Sequence, residues 1–237
     1  MGTDTGLVRE GNEDSARVIP ELNLFIVADG MGGHIGGEVA SRVAADSFAE
    51  EVASQSDAKL VREQPDALER AILRANDAVV REGATRGLFG MGTTLTAARM
   101  TRRTGTFAHV GDSRAYLIEP GKLRQLSRDH TLVAGLVDIG TLTREQAAEH
   151  PERHMLLQAI GTDYEIEPDV FQHRLPRRGR ILLCSDGLHD QVPEPEILRM
   201  AQQNDLDQAV SELVSASNRA GGVDNVTVVI VDISVPD

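Results

Sequence analysis

Residues 92–127, GTTLTAARMTRRTGTFAHVGDSRAYLIEPGKLRQLS, contain the pattern that decides the fold class. Apolar and β-branched residues recur there in short runs, which predicts consecutive strands and argues against helices. Pro120-Gly121 is a turn signal between two of these runs and predicts a hairpin. The predicted strands are Gly92–Met100, Thr104–Val110, Arg114–Glu119 and Lys122–Ser127.

Outside this block the apolar residues follow helical spacing or form isolated buried runs. Helices are predicted at Gly37–Ser54, from Pro65 through Val79, at Glu194–Gln203 and at Asp207–Arg219. Further strands are predicted at Leu22–Ala28, Arg180–Cys184 and Asn225–Ile233, and Thr131–Thr162 is predicted to be a partly helical insertion. This order lacks the strict strand–helix alternation of a Rossmann or TIM fold. We therefore predict an α+β sandwich with helices packed outside antiparallel sheets.

The composition predicts one domain with an aliphatic core, because 41% of the 237 residues are hydrophobic and only 3% are aromatic. The one cysteine, Cys184, cannot form an internal disulfide, which is typical of a reducing compartment. The net charge of −13 repels nucleic-acid phosphates, so no nucleic-acid partner is expected. No apolar run approaches the roughly 20 residues of a membrane span, and no signal peptide is visible. We therefore expect a cytoplasmic protein.

Four aspartates stand at the tips of predicted buried strands, namely Asp29, Asp112, Asp186 and Asp224. A single aspartate in such a place is usually a turn residue or a helix cap. Four of them, three with a neighbouring glycine, are better explained by convergence on a cation, because clustered carboxylates repel one another. Neither cysteine nor histidine accompanies them at ligand spacing, so Mg²⁺ or Mn²⁺ is expected. Two such ions could activate a water for attack on phosphorus.

Arg9 precedes Asn12-Glu13-Asp14 by three residues and is a candidate phosphate-binding group, since a guanidinium binds phosphate bidentately. Other phosphate chemistries are excluded by missing residues. No arginine closely follows Cys184, as a cysteine phosphatase requires. Met31 stands where a haloacid-dehalogenase site needs its second acid, and residues Gly90–Thr94 lack the lysine of a Walker A loop.

Seven short motifs follow one another along nearly the whole chain. They are Arg9 with Asn12-Glu13-Asp14, Val27–His34, Met91–Thr94, His109–Arg114, Ser127–Thr131, Leu183–Leu188 and Asp224–Thr227. Each motif alone is a weak signal. Together and in this order they resemble the metal-dependent serine/threonine protein phosphatases of type 2C, in particular the short bacterial branch of that family.

The resemblance implies a four-layer αββα sandwich, in which two central antiparallel sheets are flanked by helices. Residues 1–237 would form a single catalytic domain, with a mobile flap at about residues 132–162 that shapes substrate access. The cofactors implied are two Mn²⁺ or Mg²⁺ ions, with a weaker third ion.

The resemblance also implies a role for individual residues. Asp29 would bridge the two ions, with the Gly30 carbonyl on one ion and Asp186 and Asp224 on the other. Asp112 would hold the third ion together with Asp186. Arg9 would bind the substrate phosphate and act in catalysis with Asp29, Asp186 and Asp224. The remaining implied site residues are Glu13 and Asp14, which act through metal-bound waters, and Asn225, which lies behind the ligands.

Two residues depart from the family's pattern. In animal members a histidine directly after Asp-Gly is the proposed general acid, and here that place holds Met31. His34, from the same loop, is a candidate replacement, while a structural role for His34 and a metal-bound water as the acid stay open. Arg180 stands where the family usually has aspartate and is expected to alter a strand entry without touching the chemistry.

The function implied is hydrolysis of phosphoserine and phosphothreonine in proteins by a metal-bridging water, in opposition to bacterial Ser/Thr kinases. The expected partners are phosphorylated proteins, including these kinases and their substrates, and the chain is expected to be a monomer. Two alternatives stay open: a non-catalytic phosphopeptide-binding module on the same fold, and a phosphatase dedicated to one signalling partner. The chain is also a candidate for the cytoplasmic domain of a longer, membrane-anchored protein.

Overall fold

The computed structural model describes residues 1–31, 35–55, 65–101, 103–162 and 165–234. The strands are β1 (Gly2–Asp4), β2 (Ser15–Ile19), β3 (Leu24–Ala28), β4 (Gly30–Met31), β5 (Gly92–Thr93), β6 (Leu95–Met100), β7 (Thr104–Val110), β8 (Arg114–Glu119), β9 (Lys122–Gln125), β10 (Asp169–Arg174), β11 (Arg178–Cys184) and β12 (Val226–Ser234). The helices are α1 (Ile35–Gln55), α2 (Pro65–Arg86), α3 (Leu132–Asp138), α4 (Arg144–Ala148), α5 (Asp186–His189), α6 (Glu194–Ala201) and α7 (Leu206–Arg219).

Two five-stranded sheets form the centre of the molecule. The first has the strand order β1-β12-β11-β8-β9, and the second has the order β10-β7-β6-β3-β2. The neighbouring strands in both sheets are antiparallel. The short strands β4 and β5 pair with each other in a separate ribbon. The prediction of an α+β sandwich built on antiparallel sheets is therefore confirmed.

Alternating side chains of the central strands divide the apolar interior into three layers, because successive residues of a strand face opposite sides of its sheet. Val27 and Leu183 lie in the core between the two sheets. Ile26 faces the other way, onto α1 and α2. Leu182 likewise packs against α5, α6 and α7. The arrangement is the predicted four-layer αββα sandwich. Within the described residues, none of the helices has both the length and the apolar character needed to cross a bilayer.

The predicted single strand Gly92–Met100 is wrong in one respect, since the structure divides it into β5 and β6 at Thr94. The Thr94 amide donates to the backbone oxygen of Asp29 at 2.8 Å. The Thr94 hydroxyl in turn accepts from the Asp29 amide at 3.0 Å. These two bonds turn the chain away from the regular sheet ladder. The break is therefore what attaches β6 to the end of β3.

Arg180 is the third residue of β11, the central strand of the first sheet, and ties that strand to its neighbours. Its Nε donates to Asp232 Oδ1 at 2.7 Å, and its Nη1 donates to the carbonyls of Ala201 and Gln203 at the end of α6. A cation at a helix C-terminus satisfies carbonyls that have no partner within the helix. Arg180 thus secures the end of α6 against β11, and the strand begins at Arg178, two residues before it.

The insertion between β9 and β10 begins with α3 and α4. Thr143 and Gln146 form a capping box at the start of α4, because each side chain bonds the other residue's backbone amide. Both ends of residues 132–162 are held to the body. Leu157 N donates to His130 O at 2.8 Å, and Ile160 N donates to Thr93 O at 2.8 Å.

Truncation of Phe107 is expected to destabilise the fold severely. Phe107 is completely buried between the sheets and stacks on Phe171 with 5.2 Å between ring centroids. We expect Phe107→Ala to lower the free energy of unfolding by about 3–5 kcal/mol, since the cavity closes only partly. Urea denaturation measures this change. The control is Phe89→Ala, whose side chain is 82% exposed. Equal losses for the two variants would contradict the assignment of Phe107 to the core.

Candidate active site

An acidic cavity of about 860 Å³ lies at the ends of the two sheets. Most of the site residues predicted from the sequence line this cavity. They are Arg9, Glu13, Asp29, Gly30, Asp112, Asp186, Asp224 and Asn225. Asp14 is not part of the lining, although it is buried near enough to interact electrostatically with Asp186 and Asp224. His34 lies outside the described residues.

Each aspartate reaches the cavity because of its position beside a buried strand. Asp29 directly follows β3, and Asp112 comes two residues after β7. Asp186 begins α5 immediately beyond β11, and Asp224 precedes β12 by two residues. Strands β3 and β7 belong to one sheet and β11 and β12 to the other. The cavity is therefore built where the ends of both sheets meet.

Hydroxyl groups link the backbone of Asp29 to the loop that carries Asp112. Thr93 Oγ1 donates to Asp29 O at 2.8 Å. The Thr94 hydroxyl, which accepts from the Asp29 amide, also lies 2.7 Å from Ser113 Oγ in the loop after β7. Ser113 directly follows Asp112. Two carboxylates from different strands are thus fixed relative to each other by short bonds.

A buried histidine continues this chain of hydrogen bonds. The Thr96 hydroxyl lies 2.9 Å from Ser113 O and 2.8 Å from Nδ1 of His109. The other ring nitrogen of His109 lies 2.9 Å from the carbonyl of Arg128. Burial lowers the pKa of His109 to about 4, so its ring is neutral at pH 7. His109, which belongs to the motif His109–Arg114, thus joins Thr96 to the backbone of Arg128.

Close backbone packing explains why residue 30 must be glycine. A Cβ atom at Gly30 would lie 2.2 Å from the carbonyl oxygen of Gly37 and 2.5 Å from that of Glu13.

Asn225 holds the neighbouring segment, because its Oδ1 accepts from the Glu13 amide at 2.8 Å. Its Nδ2 donates to the carbonyls of Thr5 and Gly11, both at 2.9 Å. Asn225 therefore fixes the loop that contains Arg9.

Burial and mutual repulsion disfavour ionisation of the clustered carboxyls. Burial is the largest cause that raises the pKa of Asp29, and the charges of Asp14, Asp186 and Asp112 raise it further. The pKa values of Asp112 and Asp186 are raised for the same leading reason. Among the described residues, Asp14 Oδ1 and Asp186 Oδ1 are buried without a hydrogen-bond donor. Orphaned carboxylate oxygens of this kind match the donor set that a hard divalent cation requires.

Arg9 is the cationic group on the wall of this acidic cavity nearest Asp224. Its Nη2 donates to Asp224 Oδ2 at 2.7 Å, and this hydrogen bond raises the pKa of the guanidinium. The Arg9 side chain stays 54% exposed. A charged, half-exposed guanidinium beside an acidic cavity can meet an incoming phosphate.

The cavity also contains groups that the sequence reasoning missed. His154, from the insertion, places Nδ1 3.2 Å from Asp190 Oδ2. Potential ligand atoms of His154, Asp186 and Asp190 all lie within 4.8 Å of one another. Outside the cavity lining, the buried side chain of His189 places Nε2 3.1 Å from the backbone oxygen of Asp112. The spacing Asp186-x-x-x-Asp190 on one helical turn was the available signal for Asp190, whereas His154 is remote in sequence.

Residues 9–226 match the family described as protein phosphatase 2C. The chain belongs to this family. The match covers the whole cavity, from Arg9 to Asn225. The resemblance of the seven sequence motifs is therefore confirmed.

Curated relatives are similar over almost the full chain. The serine/threonine protein phosphatase PstP of Mycobacterium tuberculosis is 39% identical over 232 residues, which are 98% of this chain and 44% of PstP. The chain thus spans less than half the length of that relative. The serine/threonine phosphatase Stp of Listeria monocytogenes is 37% identical over 236 residues, with 97% of this chain and 93% of Stp covered.

Solved structures of the family have the same architecture. The crystal structure of the M. tuberculosis phosphatase PstP/Ppp matches with a TM-score of 0.88 at 37% identity, covering 98% of this chain and 96% of that one. The PstP catalytic domain in complex with two manganese ions matches with a TM-score of 0.85 at 36% identity, covering 98% and 95%.

The raised pKa of Asp14 predicts a pH-dependent stability. Burial raises this pKa to about 7, so folding favours the protonated acid and its stabilising effect is lost as pH rises from about 4 to 7. In metal-free protein at pH 7 we expect Asp14→Asn to raise the melting temperature by several degrees, since each kcal/mol corresponds to about 2–4 °C. The gain should vanish near pH 3.5.

Thermal denaturation at a series of pH values, with chelator present, measures this effect. Asp77→Asn is the control, because that side chain on α2 is 47% exposed. A difference between wild type and Asp14→Asn that does not change between pH 3.5 and pH 7 would contradict the burial of an ionisable Asp14.

Proposed function

We propose that this chain is a metal-dependent phosphatase that hydrolyses phosphoserine and phosphothreonine in proteins. The observation that carries the proposal is the convergence of Asp29, Asp112, Asp186 and Asp224 on one cavity beside Arg9. The relatives named above are serine/threonine phosphatases, and one of their structures contains two manganese ions. The catalytic interpretation is favoured over a non-catalytic phosphopeptide-binding module.

The residues assigned to the two main ions are Asp29, the Gly30 carbonyl, Asp186 and Asp224. Glu13 and Asp14 are assigned to waters around the ions, and Asn225 holds the Glu13 backbone. When bound, Mn²⁺ or Mg²⁺ supplies a nucleophilic water of lowered pKa and offsets the negative charge of the phosphate. Manganese is supported by the two ions in the PstP structure, and magnesium by the all-oxygen donor set.

Asp112 and Asp186 are assigned to a weaker third ion. The proximity of Asp190 and His154 to Asp186 supports this assignment, because it brings further ligand atoms within 4.8 Å. A site that includes an imidazole favours Mn²⁺ over Mg²⁺, since magnesium prefers oxygen ligands.

The substrate phosphate is assigned to Arg9. Its guanidinium keeps its charge at all relevant pH values and offers paired donors to phosphate oxygens. The bond to Asp224 orients the guanidinium along the cavity wall. Asn225 bonds the backbone of this loop at Thr5 and Gly11, which supports a defined position of Arg9 beside the acids.

The source of the proton for the leaving oxygen remains a prediction. Met31 lines the cavity and cannot donate a proton. His34 is the candidate from the sequence, and His154 is the imidazole found in the described part of the lining.

The proposed partners are phosphorylated proteins, including Ser/Thr kinases and their substrates, and the proposed setting is the cytoplasm. The chain is proposed to act as a monomer. The greater length of PstP supports the possibility of a catalytic domain within a longer protein.

Hydrolysis of p-nitrophenyl phosphate is expected to require Mn²⁺ or Mg²⁺ and to stop when a chelator is added. Asp186→Asn should lower kcat/KM at least about 100-fold, because it removes one carboxylate charge from the ion site. Asp77→Asn on α2 should retain wild-type turnover. Turnover by the wild type that survives chelation would sink the metal-dependent mechanism.

The alternative module has its own signature. Isothermal titration calorimetry with a phosphothreonine peptide and Mn²⁺ would then report binding, while phosphate release from the same peptide stays at the background rate. That pair of results would favour the non-catalytic alternative over the proposed enzyme.

Replacement of Arg9 is expected to weaken recognition of the phosphate. Arg9→Ala should lower kcat/KM for a phosphopeptide by about 10–100-fold, and Arg9→Lys should restore only part of it, since lysine lacks the bidentate geometry. Inhibition by inorganic phosphate should weaken in parallel. Arg81→Ala on α2, 70% exposed, is the matched control. Unchanged phosphate inhibition in Arg9→Ala would remove Arg9 from the substrate site.

A further inference from the structure

Large apolar side chains are exposed at the rim of the acidic cavity. Leu7 is 70% exposed, Val8 is 65% exposed and Val223 is 47% exposed. Single exposed apolar residues are common on protein surfaces, but contiguous ones mark sites of interaction. The question is whether these three belong to one surface.

Two contacts place residues 7–9 alongside residues 222–224. The Leu7 amide donates to the Gly222 carbonyl at 2.7 Å. A Cβ atom built on Gly222 would lie 2.8 Å from Leu7 Cγ, so the leucine side chain rests on that glycine. Two residues further on, Arg9 bonds Asp224 at 2.7 Å. Val8 and Val223 lie between these two contacts along two neighbouring stretches of chain, and we call the exposed apolar residues Leu7, Val8 and Val223 the rim.

The rim is continuous with the site proposed for the phosphate. Val223 and Arg9 both line the cavity. Consecutive Cα atoms are about 3.8 Å apart, so Val8 and Leu7 are one and two residues from the phosphate-binding arginine. An extended peptide advances by about 3.3 Å per residue. Residues adjacent to a phosphorylated serine or threonine therefore reach the rim when the phosphate lies at Arg9.

We propose that Leu7, Val8 and Val223 form a docking surface for an apolar side chain one or two positions from the phosphorylated residue of a protein substrate. This inference rests on the proposed function and adds a sequence preference to it. Three side chains match the size of one substrate residue, whereas a stable dimer needs about 800 Å² on each partner. The occupant is thus a substrate segment, and the preference is set by burial of apolar surface.

Pairs of phosphothreonine peptides that differ only by leucine or serine at one flanking position test this inference. The positions are one and two residues before and after the phosphothreonine. For wild type we expect leucine to raise kcat/KM about five- to tenfold over serine at one or more of these positions. The double variant Leu7→Ser/Val8→Ser should reduce this ratio to about one. Turnover of p-nitrophenyl phosphate, which has no flanking residues, reports the active fraction of each protein.

The variant Phe89→Ser is the matched control, since it removes an 82% exposed apolar side chain that does not line the cavity, and it should retain the wild-type ratio. If the double variant folds poorly, the single variants Leu7→Ala and Val8→Thr should each lower the ratio. Absence of a leucine preference in wild type, or a preference that survives in all rim variants, overturns the inference. Sedimentation experiments test for a dimer. If wild type forms dimers that the double variant does not form, and wild type shows no leucine preference, the rim binds a second copy of the chain.

Loss of all wild-type turnover on p-nitrophenyl phosphate would instead refute the proposed function. A phosphatase that hydrolyses p-nitrophenyl phosphate and phosphopeptides without regard to the flanking residue would leave that function intact and refute only the docking surface.

Discussion

Mutual repulsion among buried carboxylates is the constraint on which the rest of this structure depends. Burial and neighbouring negative charges raise the pKa values of Asp29, Asp112 and Asp186 together. An acidic cluster of this kind opposes folding at neutral pH, so the stability of the domain must come from elsewhere. Three apolar layers, one between the sheets and two beneath the helices, provide it. The same unfavourable cluster is favourable for a divalent cation, because a cation removes the repulsion.

The scaffold holds the acids in place through the strands and through a second set of polar contacts. Thr94, Ser113 and Thr96 join the end of β3 to the loop after β7, and neutral His109 closes the chain of bonds inside the sheet. Asn225 does the equivalent for the segment that carries Arg9. Because these contacts are buried or partly buried, each lost bond would leave an unsatisfied polar group. The distances between carboxylates are therefore set by the whole network.

Much of the fold could be predicted from the sequence, and most of the candidate site as well. The predicted helix Asp207–Arg219 begins one residue after α7 and ends with it. The predicted strand Arg180–Cys184 lacks only the first two residues of β11. The break at Thr94 could not be predicted, because it is caused by tertiary bonds to Asp29. Strands β1, β2, β4 and β10 were missed. For β1 and β10, pairing with a partner distant in sequence, and no local pattern, makes them strands. Asp29, Asp186 and Asp224 carried a local signal at strand ends, whereas His154 reaches the cavity only through the path of the insertion.

The base of that insertion has a consequence for how this enzyme family can diversify. Leu132 N bonds Met155 O, Leu157 N bonds His130 O, and Ile160 N bonds Thr93 O. These bonds bring the two ends of the segment together at the start of α3. Residues added or removed between Asp138 and Glu152 change a loop whose ends are already together, and such changes cost little closure entropy. The inner part can therefore differ in length without straining the wall of the acidic cavity.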